Sequence, residues 1–407
     1  MRAPFGSSRA PLIWIAGTGW DNVAGTDRNI VEALSKHRQI LWVDPPVAVS
    51  PWHVAKAATR LATGQLNKPT TSWASDTVLR LRVSAPPGVT RPGIRSLTAL
   101  CLNRAIRSAL AAAGWRPDCV VAAFPLARFP SDVPGSRVLY VTDDWLSGAA
   151  LMGFSRRAMQ RVMTYNLAHS SVVAAVSGSL LEDLRAMLPA EPARALHYPQ
   201  LFAVLPNGCP APAVGAPRSR SNVAGLVGQL NERLDMDLLE AVQQAGINLR
   251  IIGPRTDRDP AFGQRFDALL QNENVEWTGP LPGGKIPDEL SRLGTGLTPY
   301  RDSAFNRASF PLKTLEYLSA GVPVVATDSP AVRWLATNHV AVAANRQDFV
   351  DKVLKSLHNR NDGAAEMERR SFARAHSWEA RAKEFLSLIE ASAVSAVPPG
   401  KERKVQL

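Results

Sequence analysis

The run Ser309-Phe-Pro-Leu-Lys-Thr-Leu-Glu-Tyr-Leu-Ser-Ala-Gly-Val-Pro-Val-Val-Ala-Thr-Asp328 decides how the rest of the chain is read. Pro311 presets φ for a first helical turn, which puts Ser309 or Phe310 at the N-cap. Gly321 ends the helix, and Val322 to Ala326 has the unbroken apolar character of a buried strand. At about 100° per residue Lys313, Glu316, Tyr317 and Ala320 share one face, opposite Leu312, Leu315 and Ser319. A lysine and a glutamate on one stripe suit a ligand that carries both phosphate and hydroxyls. Lys313 and the helix N–H groups would take the phosphate, and Glu316 would accept hydrogen bonds from a diol.

The same run resembles the donor-binding segment of retaining, Leloir-type glycosyltransferases of the GT-B architecture, the family 4-like, group 1 enzymes of envelope or exopolysaccharide synthesis. In that family two glutamates eight positions apart precede Ala-x-Ala-x-Gly-x-Pro-Val-Val. Here Glu316-Tyr-Leu-Ser-Ala-Gly-Val-Pro-Val-Val325 matches the second glutamate and its tail, while the place of the first falls on Ala308. Lys313 is expected to supply part of what the missing acid would do. The resemblance implies an α/β fold of two Rossmann-like domains facing a cleft, with a C-terminal helix crossing back to the first. The expected division is 1–206, an interdomain linker at 207–222, 223–376, the crossing helix at 377–392 and a disordered tail at 393–407.

Size and charge agree with this. A chain of 407 residues exceeds what one core usually serves. Its 45% apolar and 20% charged residues are an ordinary globular composition. The formal charge of +12 is concentrated: between Pro45 and Pro117 the single acid is Asp76, against ten basic residues including Lys56, Arg60, Arg95, Arg104 and Arg107. Trp145 to Leu181 is a second acid-free run, with Arg156, Arg157 and Arg161. Such runs suit anionic lipid headgroups as well as a plain solvated face. Cys101, Cys119 and Cys209 have neither disulfide nor metal-ligand spacing, so free thiols in a reducing compartment are expected. No apolar run reaches the ~18 residues needed to span a bilayer. The short apolar run Leu12 to Ala16 behind Arg2 and Arg9 reads as a first strand rather than a signal peptide.

Leu12 to Ala16, the glycine turn Gly17-Thr-Gly-Trp-Asp21, a helix from Asp27 to His37 and the strand Gln39 to Val43 open a Rossmann-like sheet. The full dinucleotide fingerprint is absent, because Asn22 stands where its last glycine would, so no nicotinamide cofactor is expected. By resemblance Gly17, Gly19, Trp20 and Asp21 are candidates for a cleft loop; the alternative is a turn bearing an exposed Trp. Trp52, Lys56 and Arg60 can share one helix, and Arg91 to Ala112 can form another. The strand Val138 to Val141 runs into Thr142-Asp143-Asp144, where the family places a histidine against the reacting sugar. Asp143 and Asp144 are therefore the catalytic candidates, able to hold an acceptor hydroxyl, act as base or cap the next helix.

Pro206-Asn207-Gly208 is a turn whose last two residues tolerate positive φ. The second domain restarts at Val223 to Gly228. Arg233 is the surviving match to the family's diphosphate-binding cations, and Tyr300, Arg301 and Ser309 are expected to line the donor pocket with Lys313 and Glu316. Asp235-Met-Asp237 resembles a metal motif but sits at a predicted helix start, so no metal or other cofactor is expected beyond the nucleotide-diphosphate sugar. The expected protein is a cytoplasmic hexosyltransferase-type enzyme, free or peripheral on the inner leaflet, with a lipid-linked or polysaccharide acceptor and no nucleic-acid partner. A catalytically inactive nucleotide-sugar-binding relative and a nucleotide-sugar epimerase are the alternatives.

Overall fold

The computed structural model describes residues 9–22, 24–48, 70–91, 93–149, 152–188, 201–212, 215, 219–310 and 312–395. The readings placed on Trp52, Lys56, Arg60 and Pro311 lie outside these, as does the tail beyond 395. The chain divides into two compact units, 1–205 with 382–407, and 206–381.

Among the described residues sixteen strands build the two units. In the first, β1 (Leu12–Ile15), β2 (Ile40–Val43), β4 (Thr70–Trp73), β5 (Val78–Arg82), β7 (Cys119–Ala122), β8 (Ser136–Val141), β9 (Val172–Ala175) and β10 (Leu201–Val204) form one sheet. The pair β3 (Val47–Ala48) and β6 (Ser84–Ala85) stands apart. The large sheet runs β10-β9-β8-β7-β1-β2-β5-β4, parallel except for β4 on β5. Its central strands are continuous apolar runs buried on both faces, as parallel sheets require. Ile30, Val31 and Leu34 of the helix Thr26–Leu34 are fully buried, as their spacing predicts. Trp14, Tyr140 and Phe385 pack edge to face or tilted, with centroids 5.5–6.0 Å apart, so the returning C-terminal segment completes this core.

The second unit holds β11 (Ala224–Val227), β12 (Leu249–Ile252), β13 (Val275–Trp277), β14 (Thr295–Thr298), β15 (Val324–Thr327) and β16 (Val340–Ala343). They run in the order β13-β12-β11-β14-β15-β16, all parallel. That is the doubly wound order in which strand direction of travel reverses beside the first strand, and ligands bind where the carboxyl ends of β11 and β14 diverge.

The stretch 207–222, read as a linker, belongs to the second unit. Cys209 bridges to Ser377, and Arg220 is buried. The Pro206-Asn207-Gly208 tripeptide, read as a turn, forms none, and neither Asn207 nor Gly208 takes the positive φ that both tolerate. Gly208 is needed instead because a Cβ there would come within 2.9 Å of the Trp378 indole and backbone. The three cysteines are free, two of them buried.

Candidate functional site

Four of the six donor-site candidates converge in one pocket of the second unit. Arg233 comes from the loop after β11; Tyr300, Arg301 and Ser309 come from the segment after β14; Thr327 to Ser329 close the pocket from the end of β15. Its position is the switch point of the sheet.

Asn306 organises this pocket, and the sequence reading missed it. It is 7% exposed within the short helix Ala304–Ala308. Its Nδ2 donates to the carbonyls of Arg233 and Arg301 at 3.1 and 2.9 Å, and its Oδ1 accepts from Arg233 Nε at 2.9 Å. The Arg233 guanidinium also lies over the rings of Phe305 and Tyr300, 4.7 and 5.4 Å from their centroids. With Nε committed and the plane stacked, the terminal nitrogens are what Arg233 can offer an anion. Thr327 Oγ1 accepts from the Tyr300 N–H at 3.1 Å, fixing the next residue of the rim. Ser309 is buried, and its hydroxyl donates to the Phe305 carbonyl at 2.9 Å. Arg307 is ion-paired with Asp302.

Lys313 and Glu316 do not line this pocket. They lie on the helix Leu312–Ser319 and pair with each other, Nζ to Oε2, at 2.6 Å with both side chains partly accessible. The lysine stem passes the loop after β11: a Cβ on Gly228 would sit 3.9 Å from Lys313 Cγ and Cε. Gly228 has φ +150° and Gly253 φ +143°, and a Cβ on Gly253 would come within 1.8 Å of the Gly228 carbonyl oxygen. The ends of β11 and β12 thus meet too closely for any other residue at Gly253.

Tyr317 departs from the predicted helix face. Instead of standing beside Lys313 and Glu316 it is fully buried. Its hydroxyl accepts from the Val227 N–H at 2.8 Å and donates to the Gly225 carbonyl at 3.1 Å. The β11–β14 register extends only through Gly225 and Gly296, and a Cβ on Gly296 would fall 2.4 Å from the Tyr317 ring. The phenol therefore takes over β11 backbone groups where the strand pairing ends. Burial pushes its own ionisation well above the usual tyrosine range.

Both ends of this helix are anchored. Asn207 Nδ2 donates to the Phe310 carbonyl at 2.8 Å. Beyond the last turn, Arg220 Nη2 donates to the Ala320 carbonyl at 2.9 Å and Arg369 Nε to that of Gly321 at 2.7 Å. These satisfy carbonyls that a helix end leaves over. Glu366, 1% exposed, faces Arg220 at 3.0 Å and Arg370 at 2.6 Å. Burial, with the Arg220 charge beside it, brings Arg369 down to about 10.

In the first unit the candidate residues stand at the carboxyl ends of β1 and β8. The Gly17 N–H donates to Asp27 Oδ2 at 2.6 Å, and a Cβ on Gly17 would lie 2.9 Å from the Ala123 carbonyl. The Trp20 N–H donates to Asp44 at 3.0 Å, with Arg28 over its indole and Trp42 edge-on. Asp21 is exposed and takes Arg80 at 2.8 Å, which holds its carboxyl below the usual range. Arg80 also binds the buried Asp44 at 2.6 Å, so the loop is braced by ion pairs that the sequence reading did not foresee. Asp144 Oδ1 accepts from the Ser147 N–H at 3.0 Å in a turn. Asp143 lies near enough to Asp27 for its charge to oppose ionisation there.

Asn306 carries a local signal: asparagine is unfavourable inside a helix unless its amide is used. Arg220, Glu366 and Arg369 carry none: Glu366 with Arg370 is an i,i+4 pair that looks like a solvated face, and Arg220 and Arg369 are single cations with no local pattern.

Residues 221–359 match the family model described as Glycosyl transferases group 1. The chain is 32% identical over 162 residues to a Bacillus subtilis (strain 168) protein named as a teichuronic acid biosynthesis glycosyltransferase, TuaH. That stretch is 38% of this chain and 40% of the relative's length. The fold as a whole is similar to Anabaena HepE solved with UDP and glucose: TM-score 0.64, 13% identity, covering 94% of this chain and 100% of that one. A UDP-forming α,α-trehalose-phosphate synthase from Burkholderia vietnamiensis superposes with a TM-score of 0.63 at 10% identity over 94% and 99% of the two chains. The fold is GT-B.

Proposed function

We propose that this chain, a GT-B protein whose residues 221–359 match the group 1 glycosyl transferases, moves a sugar from a nucleoside-diphosphate donor to a lipid-linked or cell-envelope polysaccharide acceptor. The observation that carries this reading is the convergence of Arg233, Tyr300, Arg301 and Ser309 at the switch point of the second sheet, with Lys313 and Glu316 beside the neighbouring Gly228 loop. Positive groups held there meet a diphosphate whose negative charge grows as the sugar leaves. Lys313, already paired at 2.6 Å, can bridge between Glu316 and a phosphate oxygen, while Glu316 keeps its second oxygen for a ribose hydroxyl.

The cations Arg233, Arg301 and Lys313 supply the charge that a divalent metal supplies elsewhere, so the reaction is expected to run without one. Retention at the anomeric carbon follows the resemblance of the donor segment. Asp143 and Asp144 of the first unit are the acceptor-side candidates. Arg156, Arg157 and Arg161 are exposed on one helix, which suits attachment to an anionic leaflet from the cytoplasmic side. Among the described residues no helix is long and apolar enough to cross a membrane.

The test is nucleoside-diphosphate release from a panel of uridine, guanosine and thymidine diphosphate sugars, with and without a lipid extract. HepE was solved with UDP and glucose, so UDP-glucose leads the panel. Release that depends on the extract supports transfer. Conversion of the donor without any acceptor supports an epimerase, and binding without turnover an inactive relative.

A further inference from the structure

In the first unit a cavity opens between the helix Ile94–Ala113 and the segment that follows β7. Its walls are apolar, formed by Ala99, Leu102, Phe124, Leu126 and Val162. Two features break that lining. Thr98, 4% exposed, lines the cavity with a buried hydroxyl that has no hydrogen-bond partner. A mid-helix threonine ordinarily turns its hydroxyl back onto a carbonyl of the preceding turn; this one does not. Arg95 and Arg128 also line the cavity. The Arg128 guanidinium lies 4.3 Å above the Tyr165 ring, which fixes its plane and leaves its N–H edges to bind in that plane. Neither arginine forms an ion pair among the described residues.

An apolar wall, two cations and an orphaned hydroxyl together fit an amphipathic anion. A free phosphate gains nothing from the wall, and a neutral lipid gains nothing from the arginines. The cavity also lies where the parallel sheet binds ligands: Phe124 stands just past the end of β7, and Pro46, another lining residue, just past β2. Gly17 and Asp143 follow the carboxyl ends of β1 and β8 on this same edge.

We infer that this cavity binds a phosphorylated lipid, its hydrocarbon chain against Leu102, Phe124, Leu126 and Val162 and its phosphate on Arg95 and Arg128. The site would seat the carrier of the acceptor, so the inference rests on the transferase reading above and assigns a chemical class to its second substrate. The Thr98 hydroxyl meets the polar end of that ligand.

Calorimetry on the full chain tests this with farnesyl phosphate, farnesol and inorganic phosphate, and with UDP titrated into the same samples. Farnesyl phosphate is expected to bind at least about 10-fold more tightly than farnesol or inorganic phosphate. The Arg95→Ala/Arg128→Ala variant is expected to lose about 10- to 100-fold of that affinity, the worth of a charge-assisted hydrogen bond, while its UDP binding is unchanged. Thr98→Val is expected to unfold no more easily than the parent, since its hydroxyl has no partner to lose, and yet to bind farnesyl phosphate more weakly. Equal affinity for farnesol overturns the phosphate assignment. Equal affinity for inorganic phosphate assigns the arginines to a soluble anion and overturns the lipid. UDP binding without farnesyl phosphate binding sinks this inference alone, whereas a chain that binds no nucleoside diphosphate sinks the transferase reading beneath it.

Discussion

The Tyr317 hydroxyl donates to the Gly225 carbonyl at 3.1 Å and so hangs the Lys313–Glu316 helix from the backbone of the first strand of its sheet. A helix held only by apolar contacts could slide along the sheet; this one is pinned in register beside the Gly228 loop. Replacing Tyr317 by Phe keeps the ring and removes the hydroxyl. The buried Val227 N–H and Gly225 carbonyl then lose this partner, at a cost of about 1–3 kcal/mol. Urea unfolding of Tyr317→Phe should show that loss, and its donor affinity should fall as Lys313 and Glu316 lose their fixed position. An unchanged unfolding midpoint would mean that the phenol bonds contribute nothing.

Glu366 forms ion pairs with the buried Arg220 and Arg370, and Arg369 lies close by. Removing it leaves like charges facing each other out of water, which costs about 3–5 kcal/mol. Glu366→Ala should therefore destabilise the second unit severely, measured by denaturant unfolding. An exposed pair such as Arg107 with Asp132 should be worth less than about 1 kcal/mol when broken by Asp132→Ala.

Asp27 gives stability a pH dependence of definite sign. Burial first, and then the charge of Asp143, push its carboxyl from 3.8 up to about 7, against the Gly17 N–H that favours the ionised form. The Trp14 Nε1–H acts in that direction too but falls outside hydrogen-bond geometry, and Asp27 Oδ1 has no partner. Between those two values the folded protein keeps a proton that the unfolded chain has lost. The Asp27 contribution is thus complete below about pH 4, declines as pH rises toward 7 and is gone above it. Relative to Asp27→Asn, the parent should lose about 2–4 kcal/mol of unfolding free energy between pH 4 and pH 8. Parallel stability curves for the two proteins would contradict this.

If arginine and lysine carry the leaving diphosphate, chelation should leave turnover untouched. Nucleoside-diphosphate release measured with excess EDTA should equal that measured with added magnesium. Abolition by EDTA and recovery with magnesium would place a metal in the reaction.

Much of this molecule is legible without coordinates. Apolar runs such as Leu12–Ile15 and Val324–Thr327 announce buried parallel strands because both faces of such a sheet are covered. Arg233, Tyr300, Arg301 and Ser309 are nominated by the resemblance of the donor segment and its loops, and one pocket gathers them. What escapes is whatever depends on which polar group meets which across the fold. Helical periodicity put Tyr317 beside Lys313 and Glu316, but it does not say that the neighbouring sheet has a gap a phenol can fill. Arg220 and Arg369 look like surface cations in sequence and prove to be donors to the helix end. Gly208 looks like a positive-φ turn residue and is instead the space into which Trp378 packs.

The account rests on Lys313 and Glu316 gripping an activated sugar's nucleotide, and titration of a nucleoside diphosphate such as UDP into the parent and Glu316→Ala tests that most directly. A lost charge-assisted hydrogen bond of about 1.5–3 kcal/mol predicts a Kd raised about 10- to 100-fold in a variant whose unfolding curve still shows a folded protein. An unchanged Kd in that folded variant would contradict the assignment.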